Sequence, residues 1–290
     1  MAELDFTAAL AQIDPKVGDL RSNIEIHRDA IERARKAGAR LVVFPELSLT
    51  GYTVKDLAWE LAIDAGSPKL LEGLLRQSRD LTVLVGCVED GSDHGIYNSV
   101  FALEDGQIRF VHRKVYLPTY GMFEEGRYFS PGRTLAAFSS KLGRLGILVC
   151  EDLWHLALPY TLVMDGAQIL CCPSASPTRI RPGASELEVA SVNQEHHRTY
   201  ARLLSSYLLY VNRVGFEDGV NFWGGSSIVS PSGGVVSNGA EFTEDLVLGT
   251  VGFGEIKRAR RFSRHVLDEN TDLVVRTLER IRRETGPTKP

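Results

Sequence analysis

Short apolar runs alternate with amphipathic, helix-like segments along most of the chain, and this alternation constrains the fold more than any other feature. The runs 41–44, 81–88, 146–149 and 168–172 are rich in β-branched and large aliphatic side chains. Runs of this length and composition predict buried strands. Buried strands need helices packed over their sheets, so the sequence predicts the α/β class.

Apolar residues recur at helical spacing in the segments between these runs. Ser22 and Glu25 have the spacing of a capping box, which predicts the start of the first helix. The stretch 184–204 predicts a second long helix, and 270–283 predicts a helix near the C-terminus, followed by a frayed tail from Gly286.

One strand pair breaks the simple alternation of strand and helix. The segments 97–103 and 107–111 flank Glu104-Asp105-Gly106, which is typical of a hairpin turn. The sheets are therefore predicted to be mixed, with helices covering them. Because no proline-rich, serine-rich or charged linker divides the chain, we expect a single domain over 1–290, with 256–290 as a C-terminal extension.

Composition and charge exclude several classes of protein. Hydrophobic residues make up 43% and charged residues 24% of the 290 residues, as in soluble globular proteins. The net charge of −4 and the pI of about 6.0 argue against a nucleic acid partner. No uninterrupted apolar run reaches the length of a membrane span, so we expect no membrane partner.

The N-terminal residues and the cysteines bear on location and on metal binding. Met1 to Asp5 lacks the basic and apolar regions of a signal peptide. The four cysteines have neither the spacing of a disulfide framework nor that of a zinc site, so we expect no bound metal. These features predict a reducing, cytoplasmic compartment.

Three of the predicted strands are followed by ionisable side chains of three different kinds. Glu46 follows 41–45, Lys114 follows 107–111 with a short basic stretch between, and Cys150 ends 146–149. Strand ends at one edge of a sheet converge, so we expect these groups to lie together. The segment after Cys150 predicts a sharp turn into a helix, whose N-terminus lowers the pKa of a thiol.

A thiol, a carboxylate and an ammonium suit acyl transfer without histidine. A carboxylate can take the thiol proton, and an ammonium stabilises both a thiolate and an oxyanion. On pattern alone the alternatives stay open: Cys150 as a packing residue, Glu46 as a helix cap and Lys114 as a surface residue. His196 and His197 are adjacent within a helical stretch, which favours a solvated helix face over a ligand pair.

Three segments around these residues resemble the signature blocks of the nitrilase superfamily, the carbon–nitrogen hydrolases. The resemblance runs from the N-terminus to about residue 252. The blocks are Phe44-Pro45-Glu46-Leu47-Ser48-Leu49-Thr50-Gly51-Tyr52, Arg113-Lys114-Val115-Tyr116-Leu117-Pro118 and Leu148-Val149-Cys150-Glu151-Asp152.

The resemblance implies a four-layer α-β-β-α sandwich of two mixed sheets and a Glu-Lys-Cys triad. It implies that Glu46 is the general base, that Lys114 stabilises the oxyanion together with the Glu151 N–H, and that Cys150 is the nucleophile. It places a second catalytic glutamate at Glu125, with Glu124 as the alternative. It also implies a homo-oligomer, and chemistry that requires neither a metal nor an organic cofactor.

Other segments are similar to the glutaminase domain of glutamine-dependent NAD synthetases. By that analogy Tyr120, Glu151 and Ser176 contact the head group of the substrate, a small amide. The segment 177–183 departs from the pattern, and the 290 residues contain no Ser-Gly-Gly-x-Asp-Ser pyrophosphate loop. The alternatives are a free-standing nitrilase (which would take a nitrile substrate), an aliphatic amidase or an N-carbamoyl hydrolase, or a subunit that supplies ammonia to a separate synthetase.

Overall fold

The computed structural model describes residues 5–178 and 188–286 and confirms the α/β class. In this part of the chain the strands are β1 (Phe6–Gln12), β2 (Ala39–Val43), β3 (Ile63–Asp64), β4 (Thr82–Asp90), β5 (Ile96–Glu104), β6 (Gln107–Arg113), β7 (Phe138–Ser140), β8 (Gly143–Ile147), β9 (Ile169–Ser174), β10 (Tyr207–Asn212), β11 (Val214–Glu217), β12 (Val220–Trp223), β13 (Ser227–Val229), β14 (Val235–Asn238) and β15 (Asp245–Val251). The α-helices are α1 (Leu20–Lys36), α2 (Glu72–Gln77), α3 (Ala157–Met164), α4 (Glu188–Leu203), α5 (Phe253–Phe262) and α6 (Thr271–Thr285).

Two large mixed sheets form the centre of the molecule. The first has the order β15-β1-β2-β4-β5-β6, with β3 paired to β4, and the second has the order β14-β13-β10-β9-β8-β7. Strands β1, β2 and β4 are parallel, whereas β4, β5 and β6 form an antiparallel meander that includes the predicted hairpin. Strands β2, β4 and β6 therefore point the same way, and their C-terminal ends share one edge of the sheet.

Three apolar clusters stack the elements into four layers. One lies between the sheets and contains Leu10, Val43, Ile147 and Leu209. A second joins the outer face of the first sheet to α1 and α2, and a third joins the outer face of the second sheet to α3 and α4. This α-β-β-α sandwich confirms the predicted architecture, and it buries both faces of the central strands of both sheets.

Several local predictions were wrong. Asp19, not Ser22, caps α1, and its carboxylate accepts a hydrogen bond from the Ser22 N–H at 3.0 Å. Strand β1 was not predicted, although its residues lie at the centre of the first sheet. A continuous strand over 223–230 is broken into β12 and β13, because Gly224 and Gly225 both have positive φ angles.

The C-terminal helices differ in how they pack. Helix α5 buries Phe253 and Ile256 against the cluster between the sheets, whereas no side chain of α6 is buried. The division into one domain and an extension from 256 stays a proposal, and Ile256 itself belongs to the core. Residues 184–187 of the predicted second helix, the segment 179–183 and the tail after Gly286 lie outside the described residues. No helix within the described ranges is long and apolar enough to cross a membrane.

Candidate active site

A tight turn after β2 holds Glu46 in the interior. The side chain is 1% exposed, and the next residue, Leu47, has a left-handed backbone with φ 48°. The turn lies directly against Gly86 of β4, where an added Cβ would meet the Pro45 carbonyl oxygen at 2.3 Å. A glycine at position 86 is therefore needed for the Glu46 turn to pack against the sheet.

Lys114 lies between two carboxylates, with its side chain fully buried. Its Nζ donates to Glu46 Oε1 at 2.6 Å and to Glu125 Oε1 at 2.7 Å. Glu46 Oε1 also accepts from Asn98 Nδ2 at 2.7 Å, and its Oε2 accepts from the Ala175 N–H at 2.9 Å. Both oxygens of Glu46 are thus held, and the ammonium has a fixed position.

Glu125, rather than Glu124, is the second glutamate that contacts Lys114. It begins a short 3-10 turn, Glu125–Arg127, and its Oε1 accepts from the Tyr52 hydroxyl at 2.6 Å. Its Oε2 is buried without a hydrogen-bond partner among the described residues. Burial raises the pKa of Glu125 to about 7, and Glu46 adds to the effect, while Lys114 opposes it. Glu124 is half-exposed and lies 3.6 Å from Arg127.

Cys150 stands at a strained turn three residues beyond the end of β8. It is the first residue of a 3-10 turn, Cys150–Trp154, and its φ of 46° is left-handed. A side chain in this conformation stores strain, as functional sites often do. Burial raises the pKa of the Cys150 thiol well above its ordinary value and Glu46 raises it further, while Lys114 lowers it. The predicted lowering of this pKa by a helix N-terminus is therefore wrong, because the turn is only five residues long and burial dominates. A thiol in this environment requires a base to become a thiolate.

The three predicted strand ends meet, but they do not come from one sheet. Glu46 and Lys114 follow β2 and β6 of the first sheet, whereas Cys150 follows β8 of the second. The stacked sheets bring the three groups together. Glu46 therefore raises the pKa of the Cys150 thiol, and Lys114 lowers it. The expectation of convergence at a single sheet edge was therefore wrong.

The predicted substrate-binding residues line one cavity with Cys150. The cavity has a volume of about 340 Å³, and its walls include Tyr120, Glu151 and Ser176. The Tyr120 hydroxyl donates to Glu151 Oε2 at 2.9 Å, and the Ser176 N–H donates to Asn212 Oδ1 at 2.8 Å. Apolar walls come from Phe123, Trp154, Pro177, Val189 and Val192. The mixture of apolar walls and a few polar groups is typical of a small-molecule site.

His197 is buried, contrary to the prediction of a solvated helix face. It is 3% exposed, and its ring lies 4.3 Å from that of Tyr210. Both side chains line a small recess that also reaches Cys150. Burial lowers the pKa of His197 to about 3, so its imidazole is neutral at physiological pH. His196 instead packs edge-on against Trp154, with 4.5 Å between ring centroids.

Some contacts of the site were not predicted from the sequence. Asn98 was predicted only as part of the strand segment 97–103 and Tyr52 only as part of the block 44–52. The Ala175 N–H carries no signal in the sequence, because every residue other than proline has one. Within the described residues no group of three or more His, Cys, Asp or Glu side chains is arranged to hold a metal ion.

The sequence model of the carbon–nitrogen hydrolase family matches residues 7–261. The match covers more than half of the chain, which therefore belongs to this family and is an enzyme that acts on carbon–nitrogen bonds. Among curated relatives, the glutamine-dependent NAD(+) synthetase of Thermotoga maritima is 34% identical over 82% of the chain, and that of Acinetobacter baylyi is 31% identical over 83%. The chain spans only 40% and 43% of the lengths of these relatives.

Solved structures agree with the fold. The glutamine-dependent NAD+ synthetase of Acinetobacter baumannii matches 87% of the chain and 46% of its own chain, with a TM-score of 0.76 and 29% identity. A carbon–nitrogen hydrolase of Helicobacter pylori matches 93% of this chain and 97% of its own, with a TM-score of 0.82 and 23% identity. The second likeness is one of fold alone.

Proposed function

We propose that this chain is a cysteine-dependent amidohydrolase of the glutaminase type, which releases ammonia from an amide through a thioester intermediate. One observation carries the proposal: a buried ammonium, Lys114, is fixed between the carboxylates of Glu46 and Glu125, and the Lys114 and Glu46 charges both act on the Cys150 thiol, which stands on a strained turn. Such a set supplies the base, the nucleophile and the oxyanion stabiliser of acyl transfer.

In the acylation step, Glu46 takes the proton from the Cys150 thiol while the sulfur attacks the carbonyl carbon of the amide. The carbon–sulfur bond forms, and the oxyanion is stabilised by Lys114 and the Glu151 N–H. Loss of one such donor raises a barrier by about 3 kcal/mol. Glu46 then returns its proton to the nitrogen, the carbon–nitrogen bond breaks, and ammonia leaves.

In the deacylation step, water attacks the thioester carbon while Glu46 takes one proton from the water. The carbon–oxygen bond forms, the carbon–sulfur bond breaks, and the thiolate recovers the proton from Glu46. The products are the carboxylic acid and the resting thiol. Glu125 accepts a second hydrogen bond from Lys114 and so keeps the ammonium oriented through both steps.

The cavity and the relatives favour glutamine as the amide. Tyr120, Glu151 and Ser176 offer hydroxyls and a carboxylate to a polar head group at a cavity that opens onto Cys150. The curated relatives named above are glutamine-dependent enzymes. A free-standing aliphatic amidase, nitrilase or N-carbamoyl hydrolase would use the same catalytic groups with a different head-group site.

The test is an ammonia-release screen with glutamine, short aliphatic amides, nitriles and N-carbamoyl amines. We expect release from glutamine, and we expect Cys150→Ala to abolish release from every substrate. Cys87→Ala is the control, because Cys87 is a buried free cysteine that lies in the cluster under α1 and α2. Turnover retained by Cys150→Ala would refute the mechanism, and activity on nitriles or N-carbamoyl amines alone would refute the substrate class.

A second role is favoured by the identity of the relatives. Because the curated relatives named above are glutamine-dependent NAD(+) synthetases, we propose that ammonia released at this site is handed to a synthetase. Co-purification with a synthetase, and glutaminase activity that rises in its presence, would support this role. A cytoplasmic location and a homo-oligomer belong to the same proposal.

A further inference from the structure

Asp152, two residues after Cys150, accepts four hydrogen bonds in the interior. Its side chain is fully buried. Oδ1 accepts from the N–H groups of Val115 and Tyr116, at 3.0 and 2.9 Å. Oδ2 accepts from the Val149 N–H at 3.0 Å and, with the Nε2–H tautomer, from His112 at 3.3 Å.

These donors lie on both sides of the gap between the two sheets. Val115 and Tyr116 directly follow Lys114, and His112 lies two residues before it on β6. Val149 directly precedes Cys150. A single carboxylate therefore connects the segment that carries the ammonium to the turn that carries the thiol, although the two belong to different sheets.

Among the described residues, no other group is found that accepts a hydrogen bond from the N–H groups of Val115, Tyr116 and Val149. Buried N–H groups need a partner, and the Asp152 side chain supplies one to each of these three backbone N–H groups. A displacement of about 1 Å between reacting groups can cost about 100-fold in rate. The hydrogen bonds of Asp152 therefore affect the distance between Lys114 and Cys150, and with it the rate of the proposed reaction.

We propose that Asp152 is a positioning residue that fixes Cys150 relative to Lys114 across the two sheets. It lines neither the large cavity nor the small recess at Cys150, so it acts through the backbone on either side of the catalytic groups. The inference rests on the proposed function, because that proposal gives Lys114 and Cys150 their roles.

The variant Asp152→Asn keeps the size of the side chain but turns one oxygen into an N–H donor. That donor must face either Val115 and Tyr116 or Val149 and His112, so one end of the bridge is lost. We expect iodoacetamide to alkylate Cys150 about 10-fold or more slowly in this variant than in the wild type, with the reaction monitored by intact-protein mass spectrometry. We expect kcat for L-glutamine to fall by a similar factor, with KM changed by less than about 3-fold.

Glu104→Gln is the matched control. Glu104 is also buried and accepts from the Thr82 hydroxyl at 2.6 Å and the Lys141 N–H at 3.1 Å, but it lies at the opposite end of the first sheet. We expect it to lower thermal stability without slowing alkylation. Equal alkylation rates in folded Asp152→Asn and Glu104→Gln would overturn the proposal.

His112→Phe provides a second route if Asp152→Asn does not fold. It removes one of the four donors to Asp152, so we expect alkylation of Cys150 to slow by less than in Asp152→Asn. An alkylation rate equal to that of the wild type would again count against the proposal. Ammonia release retained by Cys150→Ala would instead show that the proposed function itself had failed, so the two failures are distinguishable.

Discussion

At the scale of single residues, the candidate site places several charged groups in the low-dielectric interior of the protein. Lys114 brings one positive charge to two buried carboxylates, and Glu125 is partly protonated near neutral pH because burial raises its pKa to about 7. Removing Lys114 would leave buried carboxylates unpaired, which typically costs 3–5 kcal/mol. The pairing thus contributes to folding as well as to the proposed mechanism.

His27 provides a test of how buried histidines affect stability. Its imidazole bonds Asn23 O at 2.7 Å and Ser48 Oγ at 2.9 Å, and burial lowers its pKa from 6.5 to about 4. Between these values the unfolded chain binds more protons than the folded one. The contribution of His27 to the unfolding free energy is therefore expected to fall by about 3 kcal/mol as the pH falls from 6.5 to 4. Denaturant unfolding of His27→Gln should show a smaller decrease in unfolding free energy over the same pH range. The decrease that remains includes the contribution of His197, which the variant keeps.

Ser48→Ala is the control for this pH effect. It removes the hydroxyl partner but keeps the imidazole that titrates. We expect it to lower stability by about 1 kcal/mol at every pH, with the dependence on pH retained. A His27→Gln variant with the full pH dependence of the wild type would contradict the assignment.

At the scale of elements, the contribution of each C-terminal helix follows from what it buries. Helix α6 has an N-cap, Asn270, whose side chain accepts from the Leu273 N–H, but none of its side chains is buried. We expect truncation after Asn270 to change unfolding free energy by less than about 0.5 kcal/mol. Thermal unfolding and iodoacetamide alkylation of Cys150 are the measurements.

Truncation after Gly252 is the contrasting variant, because it also removes α5. Loss of Phe253 and Ile256 from the core should cost about 3–5 and 2–5 kcal/mol, which together approach the whole stability of a domain. We expect this shorter chain not to fold. A large loss of stability on removing α6 alone would mean that the helix packs on something in solution.

At the scale of the whole molecule, the proposed activity requires that one sheet pack on the other. Leu209 is fully buried between the sheets, and Leu209→Ala should cost about 2–5 kcal/mol. Because the site spans both sheets, we expect the urea transitions seen by fluorescence and by the loss of specific Cys150 alkylation to coincide in this variant. Leu248→Ala, at a partly exposed position of β15, should shift the midpoint little. Separate transitions would indicate that the site forms within one sheet.

Much of the fold could be predicted from the sequence, because buried strands and amphipathic helices leave periodic patterns. The hairpin of β5 and β6 was predicted from Glu104-Asp105-Gly106, and the layers followed from the family resemblance. Strand β1 was not predicted, and α1 begins three residues before the predicted start. Element ends depend on capping groups such as Asp19, whose competition with Ser22 is decided only when the chain folds.

The sequence, read with the family resemblance, determined which side chains the proposed function assigns to the chemistry. Glu46, Lys114 and Cys150 stand at strand ends, and an ionisable residue directly after an apolar run is visible without any structure. Tertiary structure alone decided that Cys150 comes from the second sheet, that Glu125 rather than Glu124 contacts Lys114, and that Asp152 bridges the two segments. These contacts join residues 11 to 68 positions apart, and their geometry depends on how the two sheets pack, which no local pattern encodes.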